Sequence, residues 1–178
     1  MTADEIQYTK DWWTALVQNP ERLSVWLQKL QQTELGGYTD HVEFLKNHTI
    51  DPRTIKIIMN IAHDELFHSS MLVDILNDRG IGVSTTPMPS GYWDSMLAEV
   101  ATPEEYYAAN FFGESLAADR FEIIGSMDVT PSDLRRFIQT ALPEEIFHRE
   151  TLMRLAGEDA LRKFCKLHES ALQQLLKK

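Results

Sequence analysis

The chain has 178 residues, and its 17 Lys and Arg against 27 Asp and Glu give a formal net charge of −10. This length suits one domain with a sizeable core, and the acidic balance argues against a nucleic-acid partner, because phosphate binding needs surplus Lys and Arg on one face. The single cysteine, Cys165, excludes an internal disulfide and a four-cysteine iron–sulfur site.

Four dipeptides divide the chain, each with a capping side chain directly before a proline. The backbone N–H of the first helical residue has no partner within the helix, so a proline there costs no hydrogen bond. Each dipeptide therefore predicts a helix start. Apolar residues of helical period follow each start, and the alternating pattern of strands is absent. The sequence predicts long helices over about 20–46, 52–79, 103–127 and 131–156. The dipeptides are Asn19-Pro20, Asp51-Pro52, Thr102-Pro103 and Thr130-Pro131.

A weaker helical pattern precedes these four helices at about 3–18, and a C-terminal helix is predicted at about 158–177. Short links join the first two long helices and the last two, so each pair is predicted to be antiparallel. The segment 80–101 between the pairs is rich in Gly, Pro and Ser and long enough to run the length of a bundle. Two antiparallel pairs joined by one long crossover are typical of the ferritin-like topology. We therefore predict an all-α, single domain over 1–178, with a four-helix bundle at about 20–156 and accessory helices at both ends.

Two Glu-x-x-His motifs occur on predicted helices, and a lone glutamate lies 31 positions before the glutamate of each motif. Positions three apart lie on one face of a helix, so the carboxylate and the imidazole of a motif can share a metal ion. Every residue of the second set lies 80 positions after its counterpart, which indicates an internal duplication. The candidate metal ligands are Glu34, Glu65, His68, Glu114, Glu145 and His148.

The four glutamates of this set need a counter-charge if they are buried. An unpaired buried carboxylate is costly, and no Lys or Arg lies on the predicted inner faces near these positions. Two divalent metal ions would balance the four negative charges, with a neutral imidazole for each ion. Carboxylate and imidazole ligands suit iron and manganese, so these residues predict two iron ions, two manganese ions or a mixed pair.

With these motifs the chain resembles the ferritin-like di-iron carboxylate superfamily, which includes rubrerythrins, bacterioferritins and di-iron oxygenases, over about residues 20–156. The resemblance implies that the motif glutamates bridge the two ions, that the lone glutamates are terminal or bridging ligands, and that one histidine binds each ion. The subfamily stays open. Ala117 stands where rubrerythrins have a further ligand, and Leu72 stands where the ribonucleotide reductase small subunit has its radical tyrosine.

The resemblance implies an oxidoreductase that activates O₂ to oxidise a small organic molecule. Its partners would be O₂ or peroxide, an unidentified substrate and a separate electron donor, and a homodimer is compatible with it. Two alternatives stay open. One is an iron-oxidising, iron-handling or peroxide-detoxifying protein, and the other is a metal-binding bundle without catalysis.

Several residues near the predicted ligands each allow two interpretations. Tyr38, one turn after Glu34, either packs in the core or acts on the site, through a hydrogen bond to a ligand or as a redox-active phenol. Gly36 and Gly37 indicate either close helix approach or space for O₂ or a substrate. Asp119 is either a partner of a ligand histidine or half of a flanking ion pair.

The ends and apolar runs of the sequence bear on its location. The first residues are acidic where a signal peptide is basic, and no run approaches the roughly 18 apolar residues of a membrane-spanning helix. We therefore expect a cytoplasmic protein without a membrane span.

Overall fold

The computed structural model describes residues 1–83 and 91–176, and it is all-helical there, with no strand among those residues. The predicted all-α class is confirmed. Six helices lie within a few residues of their predicted positions, whereas α4, inside the predicted crossover, was not expected. Residues 84–90 of that crossover lie outside the described part of the chain. The helices are α1 (Ala3–Val17), α2 (Pro20–Asn47), α3 (Pro52–Asp78), α4 (Gly91–Leu97), α5 (Pro103–Ser126), α6 (Ser132–Ala156) and α7 (Glu158–Leu176).

Three of the predicted helix starts are capped by the side chain before the proline. The side chain of Asn19 accepts a hydrogen bond from the backbone N–H of Arg22 at 3.1 Å. The carboxylate of Asp51 accepts two backbone N–H groups, at 3.0 and 3.1 Å. The hydroxyl of Thr102 accepts the N–H of Glu105 at 3.3 Å. Each cap supplies a partner to backbone donors that the first turn leaves unpaired.

The fourth predicted cap, Thr130, has a different role. Its hydroxyl donates to the carbonyl of Ile124 and accepts the indole N–H of Trp13 at 2.8 Å. Helix α6 accordingly begins at Ser132, one residue later than predicted. The Thr130 hydroxyl thus ties α1 to the link between α5 and α6, because a buried indole N–H needs a partner.

Helix α3 ends in a glycine turn. Gly80 has a φ of +69°, and its N–H donates to the carbonyl of Asn77 at 2.9 Å. The N–H of Ile81 donates to the carbonyl of Leu76 at 2.8 Å. This pair of bonds is the Schellman motif, which requires the left-handed conformation that glycine adopts without strain.

The described residues fall into two compact units. Unit 1 comprises 1–83 and 121–141, and unit 2 comprises 91–120 and 142–176, so the boundary falls within α5 and α6. The prediction of a single domain over 1–178 stays a prediction. Among the described residues, no helix combines the length and the apolar character that crossing a membrane requires.

Unit 1 is built around the antiparallel pair α2 and α3, against which α1 packs. A bidentate ion pair joins the end of α3 to the start of α6, with Arg79 Nε and Nη2 at 2.8 and 2.9 Å from the carboxylate oxygens of Asp133. The core consists of large apolar side chains that are almost completely buried, and burying each one contributes about 1.5–3 kcal/mol. They include Trp13, Leu27, Ile58, Ile61, Leu72, Leu76, Leu134 and Phe137.

Unit 2 has its own core, to which the short helix α4 contributes. Met96 of α4 is completely buried, as are Leu152 of α6 and Phe164 of α7. Helix α4 packs against α7. The carboxylate of Glu105 accepts a hydrogen bond from Lys163 Nζ at 2.7 Å, which holds the start of α5 to α7.

Candidate metal centre

The first predicted triad of metal ligands is assembled within unit 1. Glu34 lies on α2, and Glu65 and His68 lie one turn apart on α3. All three side chains are at least nine-tenths buried, and one ligand atom from each lies within 4.8 Å of the others. Nδ1 of His68 is 3.3 Å from Oε2 of Glu34. The helical spacing and the antiparallel pairing of α2 with α3 bring the three together.

Burial dominates the electrostatics of this triad. It raises the pKa of Glu34 to about 7 because the charged carboxylate is taken out of water. The neighbouring charge of Glu65 also raises this pKa, while the hydrogen bond and the charge of His68 lower it. A positive charge beside Glu34 would therefore stabilise its ionised carboxylate.

The backbone and the aromatic ring around the first triad leave little freedom to its side chains. A Cβ built on Gly37 would lie 2.9 Å from Oε2 of Glu65. The ring of Phe137 meets the imidazole of His68 edge to face, with centroids 6.1 Å apart. The Glu65 carboxylate is therefore seated against the backbone of α2, and the His68 ring is held by packing.

A buried pair of polar side chains ties the two helices together beside the triad. Gln31 Nε2 donates to the hydroxyl of Ser69 at 3.0 Å, and that hydroxyl donates to the backbone carbonyl of Gln31 at 3.3 Å. Gln31 lies one turn before Glu34, and Ser69 directly follows His68. These bonds fix the register of α2 on α3 at the level of the ligands.

The second predicted triad is assembled within unit 2. Glu114 lies on α5, and Glu145 and His148 lie one turn apart on α6. All three are at least nine-tenths buried, and one ligand atom from each lies within 4.8 Å of the others. Nδ1 of His148 lies 4.0 Å from Oε2 of Glu145. Each unit thus contains one buried group of two carboxylates and one imidazole.

The turn of α5 that carries Glu114 is packed by an aromatic side chain. A Cβ built on Gly113 would lie 1.9 Å from the ring of Trp93, so the indole occupies the place where a side chain at 113 would begin. The small residue at 113 therefore permits close approach of α4.

The remaining residues singled out from the sequence lie around the triads in different ways. Tyr38 is half-buried, and its hydroxyl makes no hydrogen bond to the described residues, so its role at the site stays a prediction. Asp119 lies 3.6 Å from Arg149, so it takes part in an ion pair, and its role as a partner of a ligand histidine stays a prediction. Gly36 differs from Gly37, since a Cβ there would meet nothing within 4 Å.

One feature of unit 2 was not predicted from the sequence. The hydroxyl of Tyr92 on α4 lies 2.7 Å from Nδ1 of His168 on α7. These residues are 76 positions apart, and neither belongs to a recognisable spacing pattern. The only signal was the aromatic pair Tyr92-Trp93 after a segment rich in Pro, Ser and Gly.

The two triads fit a metal ion by the chemistry of their donor atoms. Each offers carboxylate oxygens and imidazole nitrogen, the set that iron and manganese accept, on helices that hold the side chains in place. A bound cation would also offset the cost of burying two carboxylates in each triad. These buried Glu and His groups could therefore hold metal. A scan against protein-family models, a search of curated proteins and a search of solved structures each found no match.

Proposed function

We propose that the chain is a ferritin-like four-helix bundle with one long crossover, and that its two triads bind two metal ions, with iron preferred. The observation that carries this proposal is the occurrence of the same buried Glu/Glu/His triad twice, at equivalent positions of a duplicated sequence. A solvated or merely structural set of residues would not need all six side chains to be buried. In each triad the two carboxylates and one divalent ion give a neutral site, which a low-dielectric core tolerates.

We propose further that the activity is the oxidation of a small organic molecule by O₂. Bound iron would supply the redox chemistry, and the protein would supply ligation, orientation and access. The ferritin-like resemblance supports this activity, with electrons delivered by a separate donor.

The residues of the first triad have defined tasks in this scheme. Burial raises the pKa of Glu34 to about 7, so the group is partly protonated near neutral pH and would release its proton when a cation binds beside it. Gly37 lets the Glu65 carboxylate lie against α2, and Phe137 limits rotation of the His68 ring. These contacts keep the ligands in place before the metal arrives.

Metal analysis followed by reaction with O₂ tests the proposal. The protein is stripped with a chelator, reloaded with Fe(II) without oxygen, and its iron is counted before O₂ is admitted. We expect about two iron ions per chain and a ferric absorption band that small organic molecules perturb. Failure to bind iron or manganese would contradict the metal centre.

The same experiment separates the alternatives. Uptake of iron well beyond two ions per chain after repeated additions of Fe(II) and O₂ would favour iron handling. Two ions that bind but never react with O₂ or peroxide would favour a bundle without catalysis.

A further inference from the structure

Unit 2 contains a tyrosine–histidine pair in a closed aromatic setting. Tyr92 is only 5 % exposed, and its hydroxyl lies 2.7 Å from Nδ1 of His168, which is half-buried. A hydrogen bond in which the phenol donates requires the histidine tautomer that carries its proton on Nε2. The pair therefore links a buried phenol to a ring at the edge of the core.

Aromatic packing places this pair beside the α5 turn that carries Glu114. The His168 ring stacks on Phe112, with centroids 5.0 Å apart and planes at 23°. Trp93 meets the ring of Tyr92 edge to face at 5.6 Å, and its indole covers Gly113. Both contacts fall on the residues immediately before Glu114, so α4 and α7 are anchored at the level of a proposed metal ligand.

The charges around Tyr92 oppose simple loss of its proton. Burial raises the pKa of Tyr92 well above its ordinary value, the positive charge of Arg120 lowers it, and the negative charge of Glu114 raises it. A buried phenolate is therefore costly. Removing an electron together with the proton avoids that cost, because the phenol then becomes a neutral radical.

We propose that Tyr92 is a redox-active tyrosine whose proton is accepted by His168, and that the pair donates one electron to the metal centre. In this step the Oη–H bond of Tyr92 breaks, the proton forms an Nδ1–H bond on His168, and the electron passes to the oxidised metal. The products are a neutral tyrosyl radical and an imidazolium, and the half-buried ring of His168 allows water to stabilise that charge. The oxidant in this step is the oxidised metal, so this part of the inference rests on the proposed function.

The pair itself can be tested without metal. The full-length, chelator-treated protein is oxidised by flash photolysis with tris(bipyridine)ruthenium and persulfate, and radicals are recorded by electron paramagnetic resonance. We expect a tyrosyl signal that falls several-fold in Tyr92→Phe, with the remainder from exposed tyrosines such as Tyr8. Tyr106→Phe is the matched control, because Tyr106 is equally buried, and it should keep the signal. A signal of undiminished size in Tyr92→Phe would overturn the proposal.

A second variant separates a redox role from a structural one. The side-chain carbonyl of glutamine accepts a hydrogen bond from a phenol but does not take up its proton at neutral pH. His168→Gln should therefore fold, as checked by circular dichroism, and yet give a several-fold lower yield of the Tyr92 radical. An unchanged yield and lifetime would show that the histidine serves packing alone. If Tyr92→Phe folds poorly, ring-deuterated tyrosine in the unmodified chain identifies the signal as a tyrosyl radical. The radical yield of His168→Gln then decides between a redox role and a structural role.

The inference and the proposed function fail in different experiments. A chain that forms the Tyr92 radical under photolysis but binds no iron contradicts the metal centre. A chain that binds two iron ions but forms no radical at Tyr92 under photolysis contradicts the pair. In iron-loaded protein, admission of O₂ should generate the same signal and Tyr92→Phe should abolish it, and a loaded chain without this signal would overturn electron donation to the metal.

Discussion

Gly37 and Glu65 are in such close contact that a Cβ on residue 37 would lie 2.9 Å from Oε2 of Glu65 and 3.2 Å from its Cγ. Real Cβ contacts of this length essentially do not occur, so any side chain at 37 must displace the Glu65 carboxylate. Close helix approach is thus the correct interpretation at this glycine. A substitution at residue 37 therefore tests the position of the Glu65 carboxylate. It does not test the volume of a substrate space.

Gly37→Ala should therefore weaken metal binding while the chain still folds. The displaced group is the end of a flexible side chain, so the cost to folding is small, but the carboxylate leaves its seat against α2. We expect several-fold weaker binding of Fe(II) or Mn(II), measured by titration with a competing chelator.

Gly36→Ala is the matched control for this substitution. A Cβ at residue 36 would meet nothing within 4 Å, and alanine is favoured over glycine in a helix by up to about 1 kcal/mol. This variant should bind metal normally and melt slightly higher. Equal metal affinity of the two variants would contradict the role assigned to Gly37.

Removing one carboxylate from each triad should abolish metal binding. Glu65→Ala with Glu145→Ala takes two negative charges from the proposed centre and leaves too few ligands for two ions. We expect near-zero metal per chain by elemental analysis and no rise of melting temperature on adding Fe(II) or Mn(II). The unmodified chain should be stabilised by metal, because the unfolded chain binds it poorly.

Asp74→Ala with Glu150→Ala serves as the control for this double variant. These acids lie on the same two helices, are exposed, and give the same change in net charge. The control should retain about two metal ions per chain. Loss of metal in both double variants would indicate that binding follows overall charge instead of the triads.

The metal-free protein should lose stability as the pH rises from about 4.5 to about 7. Glu34 has its pKa raised to about 7 by burial, against an ordinary value of 4.5, so in this interval the folded chain binds more protons than the unfolded chain. The loss is on the order of 3 kcal/mol at 1.36 kcal/mol for each pH unit. Urea unfolding in the presence of a chelator, at steps across this interval, measures it.

Glu34→Gln removes the titrating group and keeps its shape. The contribution of this residue to the pH dependence should disappear, and the variant should be more stable than the unmodified chain above pH 7. A pH profile that is identical in the two proteins would mean that Glu34 does not titrate in this range.

The features that the sequence predicted are those with local signals or a regular spacing. Caps before prolines predicted the starts of α2, α3 and α5, and the three-residue spacing of Glu65 and His68 predicted that they share a face. Thr130 has the same local signal as the other caps, but the buried indole of Trp13 engages its hydroxyl. That competition depends on residues 117 positions apart and leaves no local pattern.

The surroundings of Glu114 were missed for the same reason. Helix α4 has only seven residues and follows a segment rich in Gly, Pro and Ser, so its apolar pattern is too short to predict a helix. The contacts of Trp93 with Gly113 and of Tyr92 with His168 are formed by tertiary packing. Spacing could therefore predict which Glu and His side chains come together, and it carries no information about the aromatic groups beside them.

The ion pair between Arg79 and Asp133 should stabilise unit 1 by about 1 kcal/mol. Both side chains are about a quarter exposed, and the contact is bidentate. Burial acts to raise the pKa of Asp133, but the hydrogen bonds from Arg79 and from backbone outweigh it, and the pKa is lowered. This contribution is therefore present above the ordinary pKa of aspartate, near 3.8, and is lost as the pH falls through the lowered value.

A double-mutant cycle with Arg79→Met and Asp133→Asn measures this coupling energy at pH 7 and at pH 2. The exposed pair Arg162 and Asp159 is the control, and its cycle should give almost no coupling at either pH, because its side chains are 72 % and 97 % exposed. Equal coupling in both cycles would show that the partly buried, bidentate geometry of Arg79 and Asp133 adds nothing to the coupling energy.

Gly113→Ala should destabilise the chain, because the new Cβ would lie 1.9 Å from a carbon of the Trp93 ring. An indole is rigid and cannot yield as a flexible side chain does, so α4 must shift, at a typical cost of about 1–3 kcal/mol. Thermal and urea unfolding measure the change.

Gly82→Ala is the control, since a Cβ there meets nothing within 4 Å, and it should be nearly neutral. Because the clash is with Trp93 alone among the nearest atoms, Trp93→Leu should relieve most of the effect of Gly113→Ala when the two are combined. Strictly additive losses in the double variant would show that α4 does not pack on Gly113 in solution.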